Sequence, residues 1–249
     1  MPKSCPSCQA QVKKNAKQCT VCGWDFDNKL QLQDKITLAA TAPKVQVRLQ
    51  SKTVLDCTAS SNQYAEGIPK TIEMIFSQVE PRVREITCWL QTHGDQDEGQ
   101  MPTLITDGGT VSQLIEDVKR VKYEGGGDPP EHHLDAIEHA LDTTPWSLDP
   151  YSDRGVIIAF LTADSKPATS GHSAKQIGEK IKEAGILLYL VCEPTPTLNE
   201  LAEAAEGIVF KITNNPDLQE LEKIAAQLSA SIVASVGSGA TTPVTQSAQ

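Results

Sequence analysis

Two uninterrupted apolar runs, Gly155 to Thr162 and Ile186 to Val191, constrain this chain more than any other feature in it. A half-exposed strand alternates apolar and polar side chains. A run without alternation therefore belongs to a strand covered on both faces, as in a parallel sheet with helices above and below. Between and around these runs the apolar spacing is helical: Ile68, Ile72, Ile75, Phe76 and Val79 ahead of Pro81, then Val111, Leu114, Ile115, Val118 and Val121, then Leu134, Ile137 and Leu141. Ile177 and Ile181, Leu198 to Ala205, and Leu218 to Ile232 continue the series. Further strands are predicted within Val45 to Leu55, at Glu85 to Thr92 and Thr103 to Thr106 around a charged turn at His93 to Gln100, and at Ile208 to Ile212. Arg48, Gln50, Ser51 and Lys52 make the first of these more polar than a fully buried central strand should be. The alternation predicts an α/β fold over residues 43–232, with a mainly parallel central sheet and helices on both faces.

In such sheets ligands gather at the carboxyl ends of the strands. Three polar loops fall there. The first follows Leu55 and reads Asp56-Cys57-Thr58-Ala59-Ser60; residues at i, i+2 and i+4 face one way on an extended segment, so Asp56, Thr58 and Ser60 offer three oxygens to one point. That set suits Mg²⁺, which takes a few oxygen ligands and keeps some of its waters, although the same residue types also form turns and helix caps. The second is Gly125-Gly126-Gly127-Asp128-Pro129-Pro130-Glu131, ahead of the third helix, and the third is Leu161-Thr162-Ala163-Asp164.

The first loop resembles the D-x-S-x-S metal-ion-dependent adhesion site of von Willebrand factor A (VWA) domains, written here D-x-T-x-S, and the order of elements over residues 43–232 is similar to that family's Rossmann-like fold. The resemblance implies a Mg²⁺ or Mn²⁺ site made of Asp56, Thr58 and Ser60, with Asp164 as the third-loop aspartate. For the family's second-loop threonine two positions compete, Thr110 and Asp128. Asp128 stands where that loop belongs and resembles the G-G-G-D-x-P-E variant of some intracellular VWA proteins, whereas Thr110 fits the N-cap of the helix beginning at Val111. Asp128 can equally cap its own helix ahead of Pro129. With three carboxylates the site would stay net negative around a divalent ion. His132, His133 and His139 are expected on a solvated helix face, and Cys57, Cys88 and Cys192 as small buried residues.

Residues 1–27 contain Cys5-Pro6-Ser7-Cys8 and Cys19-Thr20-Val21-Cys22. Paired C-x-x-C knuckles close a four-sulfur site suited to zinc, and seven cysteines, an odd number, argue against a disulfide framework. The segment resembles the short zinc ribbons at prokaryotic N-termini. So few residues bury no core, so zinc binding should be what folds them. Residues 28–42 read as a linker, and residues 233–249, uncharged and without a large apolar residue beyond valine, as a disordered tail.

The net charge is −10; the four lysines of residues 1–24 leave 18 basic against 32 acidic residues in the rest, about −14. Such a field repels nucleic acid phosphates and leaves the small basic head as the one candidate for an anion. No stretch has the length of a membrane helix, and the N-terminus lacks a signal-peptide core, which together predict a cytoplasmic protein. No nucleophile elbow, phosphate loop or dinucleotide fingerprint appears. The expectation is a non-enzymatic adaptor whose metal-bearing face docks a protein partner, an AAA ATPase, kinase or phosphatase of the same system being what the resemblance implies. The alternatives are Mg²⁺-assisted phosphoryl hydrolysis at the same carboxylates and nucleic-acid contact through the ribbon.

Overall fold

The structure is a computed structural model and describes residues 3–4, 11–14, 45–64, 66–126, 129–213 and 216–244. Cys5, Cys8, Cys19 and Cys22, the segment 28–42, and Asp128 lie outside the described residues. At the N-terminus β1 (Lys3–Ser4) pairs antiparallel with β2 (Gln11–Val12), Lys3 opposite Val12.

Residues Lys44–Val244 form a compact unit. Its elements are β3 (Val45–Asp56), α1 (Gly67–Val79), β4 (Val83–His93), β5 (Thr103–Gly109), α2 (Val111–Val118), α3 (His133–Thr143), β6 (Asp153–Phe160), α4 (Ala174–Glu183), β7 (Ile186–Cys192), α5 (Pro196–Ala204), β8 (Ile208–Lys211) and α6 (Leu218–Ser238). The strands make one sheet in the order β5-β4-β3-β6-β7-β8, parallel except for the antiparallel edge pair β4–β5. Every residue of β6 and β7 is buried, which is why neither run alternates. One face carries α1, α2 and α6 over Leu49, Leu55, Leu90, Ile158 and Tyr189. The other carries α3, α4 and α5 over Val54, Ile157, Leu188 and Leu190. Helix starts follow the cap residues: Thr110, Ser173 and Thr195 each accept from a backbone N–H two or three residues into α2, α4 and α5, and Ser173 with Gln176 completes a capping box.

The strand that seemed too polar for the centre is central. Gln50, Ser51, Lys52 and Thr53 of β3 are all buried between β4 and β6. Of these, Gln50 has a partner at hand: its amide both donates to the Ser147 carbonyl and accepts from the Ser147 N–H, and earlier in the same strand Arg48 pairs with Asp153 at 2.7 Å. Burial lowers the Lys52 amine to about 8, the opposing Asp107 charge being the smaller effect.

Two expectations change. The predicted domain end at residue 232 is passed by α6, which runs to Ser238, with Ser235 and Val236 fully buried. Small hydroxyl residues made the stretch look like tail, yet Ser231 and Ser235 face Tyr189 at 3.3 and 3.4 Å, and Ser235 Oγ accepts from the Val244 N–H. The expected solvated face of α3 is also absent: eight of its eleven residues are buried. One buried member, Glu138, accepts from Lys180 (2.7 Å), Ser170 (2.6 Å) and His172 (2.6 Å), tying α3 to the last turn of α4 and to the segment before that helix.

Two outcomes are expected. Ending the chain after Ala234 removes Val236 from the core and, at about 1.5–3 kcal/mol for a buried aliphatic side chain, lowers Tm by several degrees in a thermal melt. For Glu138, burial pushes the carboxyl up, but the bonds from Lys180, Ser170 and His172 outweigh it and hold it below its ordinary range. A depressed carboxylate stabilises the fold above the unfolded-state pKa and loses that contribution as pH falls through the folded-state value. Glu138→Gln therefore destabilises at pH 7, and urea titrations should show the gap closing as the pH is taken down through the carboxylate range.

Candidate metal centre

β3 ends at the carboxyl edge of the sheet in Asp56, only 1% exposed. Its carboxylate is held by hydroxyls from two loops. The Thr58 N–H and Oγ1–H both donate to Asp56 Oδ1, at 2.9 and 2.8 Å, and the Thr162 Oγ1–H donates to Oδ2. Ser60 Oγ lies 2.8 Å from Thr58 Oγ1 and 3.1 Å from Thr162 Oγ1, closing a ring of one carboxylate and three hydroxyls. Both threonine protons are committed to the carboxylate, and the threonine oxygens in turn face serine hydroxyls, Thr58 that of Ser60 and Thr162 those of Ser60 and Ser61. Burial alone would raise the Asp56 carboxyl; His133, His93 and the bonds from Thr162 and Thr58 outweigh it, and the group is held below its ordinary value, charged.

The loop shape is set locally. After Cys57, whose N–H donates to the His93 carbonyl, the chain turns into a 3₁₀ segment at Ala59–Tyr64. The segment between α2 and α3 lies against it: the Ala59 N–H donates to the Gly125 carbonyl, and the Glu124 N–H to the Cys57 carbonyl. Gly126, at φ +81°, passes so close that an added Cβ would sit 2.7 Å from Thr58 Cβ. A residue without a side chain is required there, in both conformation and space.

Of the residues expected from the sequence, Asp56, Thr58 and Ser60 come together. Asp164 does not join their ring: its Oδ1 accepts from Thr195 Oγ1 at 2.6 Å and the Ser165 N–H at 2.9 Å. Its carboxyl is held below the ordinary range because those bonds, with Thr197, outweigh burial. The residue of that loop which reaches Asp56 is Thr162, two positions earlier. Thr110 caps α2.

The histidines fall elsewhere than expected. His132 is 5% exposed and His133 fully buried, because the entry to α3 is pinned to the loop after β6: the Glu131 N–H donates to the Asp164 carbonyl, the Lys166 N–H to the Glu131 carbonyl, and the Leu134 N–H to Ser165 Oγ. His93 is the in-register neighbour of Asp56 across the β3–β4 ladder, and the His133 ring stands edge-on to it with centroids 5.1 Å apart. Burial drives both imidazoles toward the neutral form, His133 to about 3. His139 meets the Gln91 side chain at 2.9 Å. Sequence reading had no access to His93, which it placed in a turn; its signal is the pairing with Asp56, a property of the sheet.

Beside this edge a second cluster forms between the β4–β5 loop and α3. Among the described residues, Asp95, Asp97 and His132 have potential ligand atoms mutually within 4.8 Å. The Lys166 ammonium already sits between the two carboxylates, 2.6 Å from Asp97 and 3.3 Å from Asp95, so the cluster contains its own cation. Cys57, Cys88 and Cys192 are thiols pushed up to about 12 by burial and are unsuited to nucleophilic work.

No family model matches the sequence, and no curated protein does. Solved structures do: the crystal structure of the SpRpn10 VWA domain superposes with a TM-score of 0.54 over 72% of this chain and 94% of that one, at 16% identity. The chain therefore has a VWA-like fold. No helix among the described residues is long and apolar enough to cross a membrane.

The ring makes a testable demand. Thr162→Val keeps the shape and removes the donor to a buried carboxylate, which should cost about 1–3 kcal/mol in urea unfolding at pH 7. An unchanged midpoint would mean that the Asp56 carboxylate does not depend on that hydroxyl.

Proposed function

We propose that this chain is a non-enzymatic, cytoplasmic adaptor whose carboxyl edge holds a divalent cation and docks a partner protein through it. The hydroxyl–carboxylate ring of Asp56, Thr58, Ser60 and Thr162 is the observation that carries the reading. A buried charged carboxylate flanked by hydroxyl oxygens is a donor set for a hard dication such as Mg²⁺ or Mn²⁺, which favours oxygen ligands and retains water at the positions the protein leaves open. Such an ion supplies one exchangeable position for a carboxylate from a partner. The chain's own residues supply the rest: Thr58 and Thr162 orient Asp56, Ser60 closes the ring, Asp164 adds negative charge from the loop after β6, and Asp128, outside the described residues, is in this reading a further carboxylate of the site. That added charge favours retention of the cation and weakens the attraction for an acidic partner.

The four cysteines Cys5, Cys8, Cys19 and Cys22 serve in this reading as a zinc-bound second binding module. The partner class is a protein, with an AAA ATPase, kinase or phosphatase of the same system as candidates. The acidic balance of the large unit disfavours nucleic acid.

Thermal melts test the reading directly. Mg²⁺ or Mn²⁺ should raise Tm by mass action, worth about 2.7 kcal/mol at roughly a hundred times Kd, and Asp56→Ala should abolish the increment. Metal analysis should find one zinc per chain, lost in the Cys5→Ser/Cys22→Ser variant. Partner capture from a lysate should need the dication and fail with Asp56→Ala. A native protein whose melting ignores both cations would overturn the docking mechanism.

A further inference from the structure

Among the described residues five large apolar or aromatic side chains are exposed, and three of them, Met101, Leu104 and Ile105, lie on β5 or just ahead of it, 58, 46 and 44% exposed. They gather at the one antiparallel edge of the sheet. β5 pairs with β4 on its inner side, and no strand among the described residues meets the N–H and C=O groups that its alternate residues direct outward. Soluble proteins usually guard such an edge with lysine, proline or a covering segment. Within β5 there is no lysine, arginine or proline, and its one charged residue, Asp107, is turned onto Trp89, whose Nε1–H it accepts at 3.2 Å. An apolar, unguarded edge of this kind is what an extended peptide needs in order to add as a further strand.

The two faces of β5 differ, and the difference defines the strand that fits. The ladder shifts register between Leu90, opposite Thr106, and Gln91, opposite Leu104, which leaves Ile105 as an extra residue. Ile105 and Thr106 stand on the α2 face. Thr106 Oγ1 donates to Asp117 at 2.7 Å, and Ile105 lines an open pocket of about 230 Å³ with Thr92, Val121, Asp117, Arg120 and Lys122. Two cations against one carboxylate make that pocket a place for an apolar side chain and not a basic one. The opposite face carries Leu104 and the exposed Asp107. Residues 94–118, which span the β4–β5 loop, β5 and α2, hold six acidic residues and no lysine or arginine. Lys166 answers Asp95 and Asp97, and Arg120 answers Glu116 and Asp117, but Glu98 and Asp107 make no ion pair among the described residues. Beyond residue 24 the chain carries 18 basic against 32 acidic residues. That balance repels a second copy of this chain and favours a strand with lysine or arginine on the Asp107 face.

We propose that the outer edge of β5 receives an extended segment of a partner protein as a seventh strand of the sheet, with apolar side chains on the α2 face and basic ones on the Asp107 face. This contact needs no cation and stands apart from docking at the carboxyl edge.

The test uses the full chain and short labelled peptides read by fluorescence anisotropy. One peptide alternates valine with lysine, one alternates valine with glutamate, and a third is the valine–lysine peptide with alternate backbone amides methylated. The valine–lysine peptide should bind at least roughly tenfold more tightly than either of the others and weaken as salt is added. Leu104→Lys and Ile105→Lys, which install the charges that guarded edges use, should each lose roughly tenfold or more of that affinity. Asp56→Ala should bind as the native chain does, which separates this contact from the cation-dependent one. Hydrogen exchange on the unmodified chain answers without any variant: the peptide should slow the amides of Thr103–Gly109. Equal affinity for the valine–glutamate or methylated peptide, or binding that leaves those amides unchanged, would overturn the inference. A concentration-dependent dimer that protects the same amides and excludes the peptide would overturn it too, the occupant then being a second copy.

Discussion

A charged carboxylate buried at the end of the central strand is the constraint on which the carboxyl edge depends. Asp56 is removed from water, and a buried charge is tolerated only where it is densely hydrogen-bonded. β3 carries it to the edge, and the loops after β3 and β6 each deliver a hydroxyl to one of its oxygens. The tight turn after Thr58, with the Ser61 N–H donating back to the Thr58 carbonyl, follows from the need to present Thr58 and Ser60 together. The close passage of Gly126 against Thr58 follows from the same need, because the covering segment must seal the ring without intruding on it.

The loops bearing this ring are latched to one another. Glu131 and Ser165 form a parallel bridge between the entry to α3 and the loop after β6. Lys166 reaches from that same loop to Asp95 and Asp97 beyond β4, and Glu138 binds α3 to Lys180 in the last turn of α4. These ties order the edge before any ligand arrives. A site ordered in advance loses less conformational entropy on binding, which leaves more of the contact energy for affinity.

The hydroxyl ring around Asp56 is a set of oxygen donors of the kind a hard cation takes. The nearby Asp95–Asp97–His132 cluster differs from it, since Lys166 already neutralises its carboxylates and an incoming cation would have to displace an ammonium whose affinity for its proton Asp97 and Asp95 raise.

Much of this was legible in the chain. The unbroken runs that became β6 and β7, the helical spacings, and the D-x-T-x-S loop rest on periodicity and side-chain chemistry, which are local properties. What escaped was set by neighbours distant in sequence. Gln50 and Arg48 could sit in the central strand because Ser147 and Asp153, which follow α3 in the chain, meet them. The small hydroxyl residues at 231 and 235 could be buried because Tyr189 offered a hydroxyl. Thr162 stood in a motif already singled out, but only the folded loop brings it to Asp56 in place of Asp164. The histidines show the limit most clearly. In the chain His93 belongs to a charged turn and His133 to a polar helix start; strand register sets the first beside Asp56, and pinning of α3 to the loop after β6 buries the second against it. The sequence by itself determined the layered α/β architecture and the oxygen donors of the first loop, because both depend on spacing along the chain. Tertiary structure alone decided that His93, His133 and Thr162 meet at this edge, because burial and register are properties of contacts between segments that no local pattern encodes.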